Sequence, residues 1–218
     1  MDEYTRPDPE SAALLTIDVQ RDFTEPGAPA EIEGTAEAVP QMRRLVEAFR
    51  EAGAPIVHVV RLYRADGSNV DRCRRVAIES GEAIVRPGSD GSQIVPALQP
   101  PDADRLDAEG LLAGECQRLG PAEWAMYKPR WSALYRTPLA DLLAEREVDT
   151  LVVCGCNFPN CPRTTVYDAS ARDYRLVFVS DATSGVYDRG LAELRGIGVD
   201  VKDTDEAVAW LDGAAGGE

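Results

Sequence analysis

Short apolar runs recur along the chain at wide intervals. They are AALLTID at 12–18, IVHVV at 56–60, WAMY at 124–127, TLVVC at 150–154 and LVFVS at 176–180, with a shorter one at 199–201. Runs that do not alternate with polar residues are expected of strands covered on both faces, as in a parallel sheet. The stretches between them carry the helical period instead. At 35–52, Met42, Leu45, Val46 and Phe49 share one face, Arg43, Arg44, Glu47, Arg50 and Glu51 lie largely elsewhere, and Gly53 supplies a stop. Further helices are predicted at 71–78, 138–146, 161–173, 186–196 and 205–211, with Thr137 as N-cap and Pro138 as first residue of the second of these. Strands that alternate with helices and connect by right-handed crossovers give an α/β fold: a single-domain, three-layer α/β/α sandwich around a mainly parallel, doubly wound sheet of about six strands.

The same pattern sets the expected boundaries. Residues 1–11 form a loose lead-in, 12–212 the domain, and 213–218 (GAAGGE) a flexible tail. Within the domain the pattern weakens over 64–123, where Pro87-Gly88, Asp90-Gly91 and Pro100-Pro101 mark loops. So long a connection is expected to be functional, as a lid, a pocket wall or a dimer contact.

Composition narrows the function. With 38 acidic and 23 basic residues the net charge is −15, which argues against nucleic-acid or anionic-membrane partners. No apolar run is long enough to span a membrane. The segment MDEYTRPDPESAA is too acidic and polar for a signal peptide. Five cysteines, an odd number, fit free thiols in a reducing compartment, so a cytoplasmic location is expected. No GxGxxG follows the first strand and no GxxxxGK[ST] occurs, and Cys154 and Cys156 are too close for a zinc pair. A small-molecule substrate with no cofactor and no metal is the resulting expectation.

The chemistry centres on 150–173, TLVVCGCNFPNCPRTTVYDASARD: a buried strand, a tight turn and a helix that begins at Cys161 with Pro162 behind it. A cysteine there faces unpaired N–H groups and the positive end of the helix dipole, so its pKa is expected to fall and its sulfur to be nucleophilic. Asp18 and Lys128 also follow predicted strands at their C-terminal ends, which converge on one side of a parallel sheet. A carboxylate there can accept the thiol proton, and an ammonium can favour both charged forms. Taken singly, each has an ordinary alternative: a turn cap, a surface charge, a buried small residue.

ALLTIDVQRDF, YKPRWSALYRTPL, GCNFPNCPRTTVYDASARDY and SDAT, in that order, resemble the isochorismatase-like cysteine hydrolase superfamily, of the N-carbamoylsarcosine amidohydrolase, ureidoacrylate amidohydrolase and streptothricin hydrolase type. The similarity covers most of 14–183. It implies a catalytic Asp18, Lys128 and Cys161, and a cis peptide at Cys156-Asn157 that helps aim turn N–H groups, including that of Cys161, at an oxyanion. It also implies a homo-oligomer, a dimer or tetramer. The chain departs from the family's nicotinamidases, whose metal site needs more histidine than His58, here mid-strand and expected to be a packed residue. It departs from true isochorismatases, which lack the cysteine. Its turn, Asn157-Phe158-Pro159-Asn160, is also unlike the Ala-Thr of many relatives.

The expected activity is hydrolysis of an amide, carbamoyl or lactam C–N bond through a thioester. Gln20, Phe23, Arg61, Tyr63, Trp131, Tyr135, Asn157 and Phe158 are candidates to contact substrate, because they lie beside the predicted strand ends or in the turn. The rival is a catalytically silent binding or scaffold protein on the same fold. A redox role for Cys154 and Cys156 lacks the CxxC spacing.

Overall fold

In the computed structural model, which describes residues 2–215, the apolar runs are strands at the centre of one sheet. The elements are β1 (Ala12–Ile17), α1 (Arg21–Thr24), α2 (Thr35–Glu51), β2 (Ile56–Val60), α3 (Arg72–Glu79), α4 (Ala108–Ala113), β3 (Cys116–Gly120), β4 (Glu123–Tyr127), α5 (Leu139–Ala144), β5 (Thr150–Gly155), α6 (Cys161–Ser170), β6 (Arg175–Thr183), α7 (Asp188–Gly196), β7 (Asp200–Lys202) and α8 (Thr204–Ala215). The sheet order is β3-β4-β2-β1-β5-β6-β7. Every neighbouring pair is parallel except β3 with β4. The sheet thus has seven strands where six were expected. The additional one, CQRLG, is a half-buried antiparallel edge strand and carries no apolar run.

Neighbours along β1 serve opposite faces, as the pleat requires. Leu14 packs with Met42, Leu45 and Phe49 of α2 and Leu211 of α8. Ala13, Leu15 and Ile17 pack on the other face with Leu139 and Leu143 of α5, Val166 of α6 and Leu194 of α7. A third cluster closes over the C-terminal edge of the sheet, where Val70, Ile78, Ile84 and Val85 cover Phe23, Tyr63 and Cys156. The weakly patterned stretch 64–123 therefore supplies α3, α4, the edge strand and part of the wall above the sheet.

Several local expectations need correction. The N-cap of α5 is Pro138, without a side-chain bond. Thr137 instead donates its hydroxyl to the Ala133 carbonyl at 2.5 Å. The helix after Cys161 ends at Ser170, and a turn carries the chain to Asp173. The lead-in contains a short 3-10 turn, Pro9–Ser11, capped by Asp8. Of the expected tail, 213–215 belong to α8, and 216–218 lie outside the described residues. Among the described residues no helix is long and apolar enough to cross a membrane.

His58 sits in mid-strand at 1% exposure. Its two ring nitrogens meet Thr16 Oγ1 and Glu123 Oε1, each at 2.7 Å. Arg50 completes the arrangement by bonding both Glu123 oxygens. Burial raises the Glu123 pKa, but bonds from Arg50 and His58 outweigh it and hold the carboxyl at about 2.

Candidate active site

Four strand ends build the site. Ladder hydrogen bonds continue one residue past β1 and β4: Asp18 N–H donates to Val59 at 2.8 Å, and Lys128 N–H to Val60 at 3.0 Å. The C-terminal edge therefore reads Lys128 after β4, Arg61 after β2, Asp18 after β1, and the turn to Cys161 after β5. Asp18 takes a left-handed conformation (φ 54°), which turns the chain out of the sheet and which Asp tolerates better than most side chains. Gly155, paired with Ile17 across the β1–β5 ladder, has φ 121°, and a Cβ there would stand 2.2 Å from the Ile17 carbonyl oxygen. Only glycine lets β5 pass so close to β1 beneath the site.

Lys128 is fully buried, and its Nζ donates to Asp18 Oδ2 at 2.7 Å. The other carboxylate oxygen, Oδ1, is buried and meets no hydrogen-bond donor among the described residues. Cys161 opens α6 at 8% exposure and lines the same cavity as Asp18, whose charge acts on its thiol. Arg61 Nη2 approaches the Cys161 sulfur at 3.7 Å, and its Nη1 is bound to Asp71 Oδ2 at 2.8 Å. The Tyr63 hydroxyl donates to the same Asp71 oxygen at 3.2 Å. The three expected groups thus meet, joined by an Arg61–Asp71 pair.

The Cys161 pKa moves in the direction opposite to the one expected. Burial raises it first and the Asp18 charge second, and Lys128 and Arg61 only partly offset them. The helix N-terminus does not by itself make a thiolate here. Alkylation of Cys161 by iodoacetamide is accordingly expected to keep accelerating above pH 9, the ordinary thiol value. A rate already level at neutral pH would mean that the cationic groups dominate.

The peptide bond between Cys156 and Asn157 is cis. Among the described residues, the N–H groups of Asn157 and Cys161 meet no backbone carbonyl. Asn160 precedes the helix and bonds through its amide to Asn157 Oδ1 at 3.0 Å. Two unpaired N–H groups on either side of this turn can hold a developing oxyanion.

Of the residues expected to contact substrate, Phe23, Arg61, Tyr63, Trp131 and Asn157 line the cavity above Cys161. Three others are placed differently. Gln20 is fully buried, and its amide links the Arg61 backbone to the Ser92 carbonyl, so it braces the strand end. Tyr135 lines a neighbouring groove of ≈ 690 Å3, and Trp131 borders both spaces. Phe158 turns away from the cavity, fully buried with its ring against Phe178 and Tyr187 at 5.1 and 5.2 Å. Gly190 of α7 leaves room for it, since a Cβ there would lie 2.2 Å from its ring. Asp71, Arg74, Ile32 and Asn160 are additional residues of the site. The sequence marked them only faintly, by a short helix predicted to begin at Asp71.

A family model described as the isochorismatase domain matches residues 12–107 and 112–206. A probable inactive nicotinamidase of Arabidopsis thaliana is 32% identical over 195 residues, covering 87% of this chain and 90% of its own. An N-carbamoylsarcosine amidase of an Arthrobacter species is 28% identical over 207 residues, covering 92% and 71%. In three dimensions, the crystal structure of an isochorismatase family protein from Desulfovibrio vulgaris is similar with a TM-score of 0.77 and 35% identity, over 91% of this chain and 98% of that one. The sheet order, the convergent strand ends and these similarities agree, and the chain belongs to the isochorismatase family.

Proposed function

We propose that the protein is a cysteine hydrolase that cleaves a C–N bond of a small amide, carbamoyl compound or lactam through a thioester. The observation that carries this reading is the Asp18 carboxylate. One oxygen is held by Lys128, while the other is buried without a donor beside the thiol of Cys161. A buried acceptor without a partner is costly unless it has a chemical use.

In this mechanism Asp18 takes the Cys161 proton as the sulfur attacks the carbonyl carbon, so no free thiolate need accumulate in the resting enzyme. The Asn157 and Cys161 N–H groups hold the oxyanion. Protonated Asp18 then gives its proton to the departing nitrogen as the C–N bond breaks, leaving an S-acyl enzyme and a free amine or ammonia. Water attacks the thioester while Asp18 accepts a proton from it. The C–S bond breaks, the acid leaves, and the proton returns to sulfur. Lys128 holds Asp18 Oδ2 in place through both half-reactions.

The rival, a silent binding protein, draws support from the similarity to a probable inactive nicotinamidase. A screen of amides, carbamoyl compounds and lactams for release of ammonia or amine separates the two. Untreated protein is expected to turn over at least one class, and protein alkylated at Cys161 none. Release that survives complete alkylation of Cys161 would sink the thioester mechanism, and no release from any class would favour the silent reading.

A further inference from the structure

Arg61 is held in one pose from several directions. It follows β2 and is buried, and Gln20 clamps its backbone, accepting from its N–H at 2.7 Å and donating to its carbonyl at 2.8 Å. Its Nη1 donates to Asp71 Oδ2 at 2.8 Å. Asp71 is buried too, and it stands at the N-cap position of α3 without making a capping bond. Its Oδ2 instead takes Arg61 and the Tyr63 hydroxyl, while Arg130 lies 3.9 Å from its Oδ1. The Tyr63 ring lies beside the same guanidinium, with its centroid 5.8 Å away. Nη2 is left to donate to the Cys161 sulfur at 3.7 Å.

A thiol is a weak acceptor, so that last bond is worth little while sulfur keeps its proton. A hydrogen bond from a guanidinium to an anion is roughly twice as strong as a neutral one. When Asp18 takes the thiol proton, the negative charge passes from the oxygen that Lys128 holds to the sulfur that Arg61 faces. An interaction that strengthens on the way to the transition state accelerates the step, and a donor already in place needs no reorganisation to do so.

We propose that Arg61 is a further catalytic residue beside Asp18, Lys128 and Cys161: its Nη2–H holds the sulfur anion formed as Cys161 loses its proton, and Asp71 and Tyr63 are the positioning residues that aim it. The S–H bond breaks, the proton goes to Asp18, and the electron pair stays on sulfur until it attacks. When the C–S bond of the thioester breaks, that pair returns to sulfur and meets the same N–H. That this anion is catalytic rests on the hydrolysis proposed above; the hold of Arg61 on it does not. The other charged or titratable groups facing Cys161 are Asp18 and Lys128 at the neighbouring strand ends, the Cys156 thiol after β5, and Arg74 of α3, which forms no ion pair among the described residues.

Two variants isolate the guanidinium. Asp71→Asn keeps an oxygen for Nη1 and for the Tyr63 hydroxyl but removes the counter-charge. Arg61→Gln/Asp71→Asn replaces the ion pair by two amides, so position 71 is neutral in both. The Cys161 thiolate is read by its ultraviolet absorbance at one fixed alkaline pH, with Cys161→Ala in the same background subtracted to remove the other cysteines and the tyrosines. The thiolate fraction is expected to be about tenfold or more lower in the double variant than in Asp71→Asn. Arg61→Met/Asp71→Asn carries the same expectation and replaces the amide pair should that variant not fold. Equal fractions, or a higher fraction in the double variant, would overturn the assignment, since a merely structural Arg61 does not act on the charge of sulfur. In turnover, Arg61→Lys keeps the charge but has no rigid fork to serve Asp71 and sulfur together. Its kcat is expected to fall about tenfold with KM nearly unchanged. An unchanged kcat, or a loss confined to KM as for a substrate-binding group, would overturn the catalytic role. The expected thiolate response with no amide hydrolysed overturns the hydrolysis and leaves the hold of Arg61 on sulfur standing.

Discussion

Replacing Cys161 with alanine is expected to lower kcat on any amide substrate by about four orders of magnitude or more, with little change in stability. A nucleophile that forms the covalent intermediate has no substitute among the remaining groups, and losses of about 10⁴–10⁶ accompany removal of such residues in other hydrolases. Asp18 and the two turn N–H groups stay in place in the variant and leave only a residual rate through water. Cys161→Ser is a sharper form of the test. It keeps an acceptor and donor at the same position, yet a hydroxyl holds its proton far more tightly than a thiol, so Asp18 is a much poorer base toward it. Single-turnover kinetics with excess enzyme would detect the acyl intermediate in the wild type and its absence in both variants. Wild-type turnover by Cys161→Ala would remove the thioester from the mechanism altogether.

The second large effect concerns stability. Lys128→Ala leaves the Asp18 carboxylate under the site without its counter-charge, in a place where Lys128 itself is fully buried. Breaking a buried pair by removing one partner costs about 3–5 kcal/mol, much of it the penalty for the charge left behind. For a chain of this length that is of the order of 10 °C in Tm. Asp18→Asn combined with Lys128→Met should recover most of it, since neither charge remains. Urea unfolding of the single and double variants measures both outcomes. A Lys128→Ala protein as stable as the wild type would show that the pair is not energetically coupled.

The parts of the fold that the sequence made legible are those whose physics is local. β1, β2 and β5 are buried on both faces and so appear as unbroken apolar runs. Asp18, Lys128 and Cys161 follow strands, and the C-terminal ends of parallel strands must share one edge. β3 leaves no mark in the sequence because an edge strand needs no apolar run, and no residue of CQRLG is buried. Phe158 was misplaced for a different reason. Its position in the turn is local, but the direction of its side chain depends on Gly190, more than thirty residues away, which leaves the space it fills. The Cys161 pKa depends on burial and on Asp18, both set by tertiary packing, whereas only the helix end is visible in the sequence. Asp71 and Arg74 lie in a charged segment, DRCRR, where nothing in the residue order tells a matched charge from an unmatched one.

The space above Cys161 measures only ≈ 20 Å3, enough for about one water molecule and too little for any amide. An amide therefore fits over Cys161 only in a conformation more open than this one. Ligand must wait for a fluctuation that draws back part of the wall, for which Trp131, shared with the ≈ 690 Å3 groove outside, is the structural boundary. Apparent affinity is then the intrinsic affinity scaled by the fraction of molecules open at a given instant. Substitutions that loosen the wall would tighten apparent binding while touching no ligand, and slow reopening over product would set the pace of the cycle.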